Sequence, residues 1–159
     1  MELATLEELR RLKYRYFRTL DLRLWDEFGD TLAEDVEGSY GTKVYGDSPS
    51  LRGRTAIVDF MREKLTDDLA TMHVAHHPEL EVDGDEATGS WAFEDTVIVP
   101  AFRVLIRGGG YYTDRYRRDS DGVWRIAATS YERIFESMQS LDDTPSYQLL
   151  ANRWARAEP

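Results

Sequence analysis

Cysteine is absent from the 159-residue chain. Its absence rules out disulfides and thiolate metal sites, and it makes the cytoplasm the expected compartment. Positive charge is in deficit: 20 Lys and Arg stand against 30 Asp and Glu, a net charge of −10. That field repels phosphate backbones, so nucleic acid is not an expected partner, and the charge serves solubility instead. No apolar run approaches the roughly 20 residues that span a bilayer, so no membrane partner is expected either. The start, Met1-Glu2-Leu3-Ala4-Thr5, has neither the basic stretch nor the apolar core of a secretion signal. Two catalytic signatures are missing as well. There is no Gly-x-Ser-x-Gly elbow, and Gly108-Gly109-Gly110 reads as a joint between two strands, not as a phosphate cradle before a helix.

What remains is a globular composition, 42% hydrophobic and 12% aromatic, in a chain of one-domain length. Thr5-Leu6-Glu7-Glu8 has the form of a capping box. Behind it, Leu6, Leu9, Tyr16, Leu20 and Leu24 recur at helical spacing, which predicts one long amphipathic helix over about residues 6–24. Shorter helices are expected from Asp26 to about Ala33 and from Arg54 to Leu65. From Thr71 the composition turns to Val, Ile, Tyr, Trp and Thr. Strands are expected at 71–82, 87–99, 101–107, 110–118 and 123–135, divided by Asp83-Gly84-Asp85, the triple glycine and Asp119-Ser120-Asp121-Gly122. Helices first and an antiparallel meander afterwards predict an α+β fold. The whole of 1–159 reads as a single domain, with a core over about 5–136. In the tail, 137–159, Thr144-Pro145 predicts a small closing helix carrying Tyr147, Leu150 and Trp154. It would cover its own pocket or dock on a neighbour.

Alternation in the second long strand places Trp91, Phe93, Asp95, Val97 and Val99 on one face. A carboxylate amid four apolar neighbours needs a cation or a donor, unless it is a surface acid at a sheet edge. All three histidines fall in Met72-His73-Val74-Ala75-His76-His77. In a strand His73 and His77 share a face roughly 13 Å apart, at about 3.3 Å per residue, too far to hold one ion. No metal site is therefore expected. A His73–Asp95 pair across the turn is geometrically reasonable, and such a carboxylate would orient the imidazole as a base. Tyr16 faces the sheet from the first helix. Asp21 lies about 140° around that helix from it and borders the pocket. Tyr131, Arg133 and Phe135 share a face of the last strand, where the guanidinium is either stacked at the rim or paired with an acid inside.

Taken in order, these residues resemble the bacterial bile-acid 7α-dehydratases, in the SnoaL-like branch of the nuclear transport factor 2-like superfamily. The segments that carry the resemblance are Tyr16-Phe17-Arg18-Thr19-Leu20-Asp21 with Trp25-Asp26-Glu27, Met72-His73 with Pro78-Glu79, and Thr88-Gly89-Ser90-Trp91 with Glu94-Asp95. Gly109-Gly110-Tyr111-Tyr112-Thr113-Asp114-Arg115-Tyr116, Asp121-Gly122-Val123-Trp124 and Tyr131-Glu132-Arg133-Ile134 complete it, so that it covers about Tyr14 to Glu136. The resemblance implies a cone-shaped, cystatin-like α+β barrel, a curved antiparallel sheet wrapped around the long N-terminal helix. It also implies an active site of Tyr16, Asp21, His73, Asp95 and Arg133. Tyr40, Trp91, Phe93, Tyr112 and Tyr131 are the candidate substrate contacts. The chain departs from the bile-acid enzymes after Val99 and over Ser39 to Leu51, two segments expected at the pocket mouth.

The resulting expectation is a lyase without cofactor or metal that dehydrates a hydroxylated carbonyl compound such as a steroid or other polycyclic. Tyr16 would serve the carbonyl oxygen. His73, held by Asp95, would move the proton, and Arg133 would hold Asp95 or an anionic part of the substrate. A ketosteroid-type isomerase and a non-catalytic small-molecule-binding domain remain alternatives. The resemblance further implies a homo-oligomer, with a trimer favoured.

Overall fold

The computed structural model describes residues 3–41 and 50–155. Helix α1 (Leu3–Asp21) and the short α2 (Trp25–Asp30) precede strand β1 (Leu32–Ser39). After β2 (Ser50–Arg52) and α3 (Arg54–Lys64) come four long strands. These are β3 (Ala70–Asp83), β4 (Glu86–Val99), β5 (Val104–Arg118) and β6 (Trp124–Ser140). The sheet order is β2-β1-β6-β5-β4-β3, antiparallel throughout except where β1 runs parallel to β6. This is the expected α+β architecture, but the curved sheet is not closed into a barrel. Among the described residues its edges are the three-residue β2 and the long β3. Among the described residues no helix is long and apolar enough to cross a membrane.

The helical stripe of α1 supplies Leu9, Leu12, Tyr16 and Leu20 to a core shared with Trp91, Phe93, Tyr112, Tyr116, Trp124 and Ile126 of the strands. Burial of each large side chain is worth about 1.5–3 kcal/mol, which fixes the helix on the sheet's inner face. α1 already begins at Leu3, so Thr5 is a buried helical residue and not the cap. It ends at Asp21, and Arg23 closes the turn in the left-handed region (φ 55°). The helix expected over 26–33 stops at Asp30, and β1 follows. Leu-Ala-Glu-Asp-Val-Glu-Gly-Ser has few β-branched residues, and its strand state comes from pairing with β6.

Two irregularities re-aim side chains that strict alternation would place wrongly. Around His77 (φ 44°) the pairing of β3 with β4 shifts, so His77 leaves the face of His73 and its ring lies 5.8 Å from that of His76. In β6 the register slips between Arg133 and Phe135, opposite Gly110 and Gly109. One extra residue reverses the parity, so Arg133 stays inside while Phe135 turns out and is 52% exposed.

The triple glycine is not a turn. β5 runs unbroken through it, and the reversal occurs earlier, at a 3₁₀ turn over Pro100–Phe102 and Arg103 (φ 50°). Its glycines are required by close approach. A Cβ on Gly108 would overlap the Arg133 guanidinium, and one on Gly110 would overlap the Glu132 carbonyl oxygen.

The tail forms turns and no helix among its described residues. Asn152 donates to the Asp68 carbonyl at 2.7 Å, and the Arg23 guanidinium lies 4.1 Å from the Trp154 ring centre. The tail thus packs beside the α3–β3 connection of its own chain. Of the segment Ser39 to Leu51, residues 42–49 lie outside the described residues.

Candidate functional site

At the open end of the core is a cavity of about 300 Å³, walled by Leu20, Tyr40, Phe60, Leu65, Leu69, Thr71, His73, Asp95, Tyr112, Tyr131 and Arg133, among others. His73 and Asp95 are register partners on neighbouring strands and face the same side of the sheet. Their nearest atoms, His73 Nε2 and Asp95 Oδ2, are nevertheless 3.9 Å apart, beyond hydrogen-bond reach. The carboxylate that orients the imidazole is Asp21. Its Oδ1 is 2.7 Å from His73 Nδ1, while Oδ2 accepts the His73 backbone N–H at 2.8 Å. The Thr71 hydroxyl donates to Oδ1 at 2.8 Å as well. Facing a carboxylate, Nδ1 is the donor, which leaves the lone pair on Nε2, the atom on the Asp95 side. Phe17 stacks on the ring, with centroids 5.4 Å apart and planes 10° from parallel. The base is thus held by two bonds to Asp21, itself fixed by Thr71, and by the Phe17 ring before any ligand arrives.

Asp95 belongs to Arg133. Nη1 donates to Oδ1 at 3.0 Å and Nη2 to Oδ2 at 2.7 Å, a bidentate clamp that passes over Gly108. Arg133 Nε lies 2.9 Å from Glu136 Oε2. Burial works to lower the guanidinium's pKa, but the hydrogen bonds and charge of Asp95, with the charges of Tyr131 and Glu136, together outweigh it and raise it. With two carboxylates on its fork, Arg133 serves to fix Asp95 and has little left for a substrate anion.

The other wall is aromatic. Tyr16 is fully buried and absent from the cavity surface, and its hydroxyl donates to that of Tyr40 at 2.9 Å. Accepting that bond leaves the Tyr40 O–H free to point at a ligand. Tyr131 accepts the Gly41 N–H at 2.8 Å, and the Tyr112 hydroxyl makes no hydrogen bond among the described residues. Burial first, and then the neighbouring phenols Tyr40 and Tyr131, push Tyr112 well above the usual tyrosine range. Burial likewise raises Tyr16 and Tyr40. All three remain donors across the physiological range.

Of the expected contacts, Tyr40, Tyr112 and Tyr131 therefore line the cavity. Phe93 lies against Tyr112 and Tyr131 and supports them, with ring centroids 4.8 and 5.4 Å away. Trp91 is elsewhere: at the closed end of the core, its Nε1 donates to the Tyr116 hydroxyl at 2.7 Å. It shares a face with Phe93 and Asp95, but the strand is long enough that this face spans both ends of the core. Two buried charges were missed by the sequence reading. Lys13 Nζ and Asp114 Oδ2 are 2.8 Å apart, and both side chains are wholly inaccessible. The signal was present, since Leu9, Lys13, Tyr16 and Leu20 share one helical stripe, and Tyr112, Asp114 and Tyr116 alternate onto the inner face.

The site thus combines an imidazole oriented by a helix-borne carboxylate with a cavity lined by tyrosines. A hexachlorocyclohexane dehydrochlorinase is similar in structure at a TM-score of 0.76 and 19% identity, over 87% of this chain and 90% of that one. A protein named as a candidate scytalone dehydratase, from Novosphingobium aromaticivorans, is similar at 0.74 and 20% identity, over 98% and 97% of the two chains. ActVI-ORFA of Streptomyces coelicolor is similar at 0.68 and 16%, over 82% and 98%. At these identities the likeness establishes the fold. In sequence, the SnoaL-like domain family matches residues 1–130, a broader group than the bile-acid enzymes and one that spans most of the described core. By that match the chain belongs to the SnoaL-like domain family.

Proposed function

We propose that the protein is a cofactor-independent lyase that removes water from a small hydroxylated carbonyl compound. The observation that carries this reading is the Asp21-held His73, whose free Nε2 stands at a largely apolar cavity with phenolic donors on another wall. His73 Nε2 takes the proton from the carbon next to the carbonyl. The developing enolate oxygen is met by Tyr40, with Tyr16 behind it, and by Tyr112. The imidazolium then returns the proton to the departing hydroxyl: the C–H and C–O bonds break, a C=C bond forms and water leaves. The names of two structural neighbours, a dehydrochlorinase and a candidate dehydratase, denote eliminations and support this class. A cavity of about 300 Å³ is at the small end of the roughly 300–1,000 Å³ usual for ligand pockets. A compact ring hydroxyketone fits that space better than a four-ring steroid.

A panel of cyclic hydroxyketones, followed by ultraviolet absorbance for new conjugation, tests the reading. At least one member is expected to yield an enone with loss of water. A product that keeps its hydroxyl while a double bond moves would make the protein an isomerase instead. Asp21→Asn is expected to lower kcat by about 10²–10⁴ with little change in KM, because it disturbs the tautomer and aim of the base and not the cavity.

A homo-oligomer, with three copies favoured, is part of the same proposal. The sheet's outer face exposes Met72 (62%) and Phe135 (52%) side by side. Apolar surface of this kind is usually covered by a partner. Sedimentation at micromolar concentration is expected to show a species larger than 18.4 kDa, and a monomer would remove this part of the proposal.

A further inference from the structure

Arg23 stands where the local backbone favours glycine. The Leu24 N–H donates to the Thr19 carbonyl at 2.9 Å and the Arg23 N–H to that of Leu20 at 3.0 Å, which closes α1 around a residue in the left-handed region. That position is usually glycine, because a Cβ there crowds the backbone. What the larger residue contributes is a reach towards β3. Its Nη1 donates to the Asp67 carbonyl at 3.0 Å, and its Nη2 to those of Leu69 at 2.5 Å and Thr66 at 3.4 Å. Asp67 is left-handed too (φ 51°), and its turn presents three carbonyls to one guanidinium. The tail closes the arrangement: the Trp154 ring lies on the Arg23 guanidinium, and Asn152 holds the Asp68 carbonyl. These contacts join the two segments whose spacing sets the base. Arg23 follows Asp21 by two residues, while Leu69, a wall of the cavity, precedes Thr71 by two and His73 by four. The Asp21 carboxylate meets Thr71 and His73 at 2.7–2.8 Å. A shift of about 1 Å between the helix end and the strand start would break those bonds.

We propose that Arg23 is a positioning residue for the base: clasping the carbonyls ahead of β3, with Trp154 stacked on it, it fixes Asp21 against His73 and keeps the imidazole lone pair on Nε2. The inference rests on the lyase reading only for its effect on rate, since the tautomer is a property of the protein without ligand. The test reads the imidazole nitrogens of the three histidines by nitrogen NMR in mildly alkaline solution, with His73 assigned from His73→Gln. The unaltered protein is expected to carry the His73 proton on Nδ1, because the hydrogen bond made by a ring nitrogen decides which nitrogen is protonated. Arg23→Gly suits the left-handed backbone and removes the clasp, so it separates positioning from helix closure. It is expected to fold and to move His73 towards the Nε2-protonated tautomer, while His76 and His77 keep theirs. Its kcat should fall by about 10- to 100-fold with KM within about twofold. A merely structural role would lower stability and leave the tautomer of the folded protein alone. Trp154→Ala is expected to move the same quantities less, and Trp154→Phe, which keeps an aromatic face for the cation, to restore them. A folded Arg23→Gly protein with the original His73 tautomer overturns the inference, and so does an unaltered protein with that proton on Nε2. Should Arg23→Gly not fold, an unchanged tautomer in Trp154→Ala overturns it instead. Failure of every hydroxyketone to react counts against the lyase reading alone and leaves the tautomer result standing.

Discussion

His73→Ala is expected to abolish turnover while leaving the fold and apolar ligand binding close to normal. Removing a general base costs about 10²–10⁴ in rate, and the loss should sit at or above the top of that range because this imidazole moves the proton in both directions. Binding should survive, because affinity comes mainly from apolar area at about 25 cal/mol per Å². His73 is one of several polar groups in a wall whose apolar area comes from Leu20, Phe60, Leu65, Leu69 and three tyrosines. Its loss frees Asp21, but that carboxylate keeps its bonds from the Thr71 hydroxyl and the backbone N–H of residue 73. Unchanged thermal unfolding together with a vanished rate is therefore the expected pair of results. A substrate turned over equally well by the variant would sink the mechanism.

The largest effect on stability is expected at Gly110. A methyl group there meets the Glu132 carbonyl oxygen and the Arg133 Cα, both backbone atoms of the neighbouring strand at its register slip. Overpacking usually costs about 1–3 kcal/mol when side chains can move aside, and here they cannot, so Gly110→Ala should exceed about 3 kcal/mol in denaturant unfolding. Gly108→Ala is a different case. The obstacle is the Arg133 guanidinium with Asp95 behind it, so the cost falls on the clamp. That variant should fold with a smaller loss of stability and a displaced Arg133. A Gly110→Ala protein as stable as the original would show that the slip between β5 and β6 is more pliable than its contacts imply.

Much of the fold was legible because periodicity reports burial: Leu9, Tyr16 and Leu20 marked the inner face of α1, and alternation through Trp91, Phe93 and Asp95 marked that of β4. What alternation cannot report is where a strand slips. Phe135 was expected on the face of Arg133, and His77 on the face of His73, but a single irregular residue reverses every direction after it. β1 was missed because its state depends on a partner nearly a hundred residues away. The site residues could be named individually, but not their pairings. His73 does sit opposite Asp95, as two adjacent strands suggest. Arg133 reaches across from β6 and takes that carboxylate, and Asp21 reaches from the end of α1 to take the histidine. Both reaches depend on how a helix and a distant strand lie on a curved surface, information that local sequence does not carry. Lys13 was passed over for a simpler reason: a lysine reads as solvated until its counter-charge is known to be buried with it.

Strand β3, which bears the base, is an edge of the sheet among the described residues. Exposed edges are templates on which a second chain can add a strand, a route to aggregation that natural proteins obstruct. Here the obstruction is the site's own scaffolding. Asp21 occupies the His73 backbone N–H, and Arg23 occupies the carbonyls of Asp67 and Leu69 just before the strand begins. The contacts that aim the imidazole therefore also deny the edge to a stranger, so natural selection on either property constrains the other. Substitutions that loosen Asp21 or Arg23 should raise the tendency of the chain to aggregate even in the absence of any substrate.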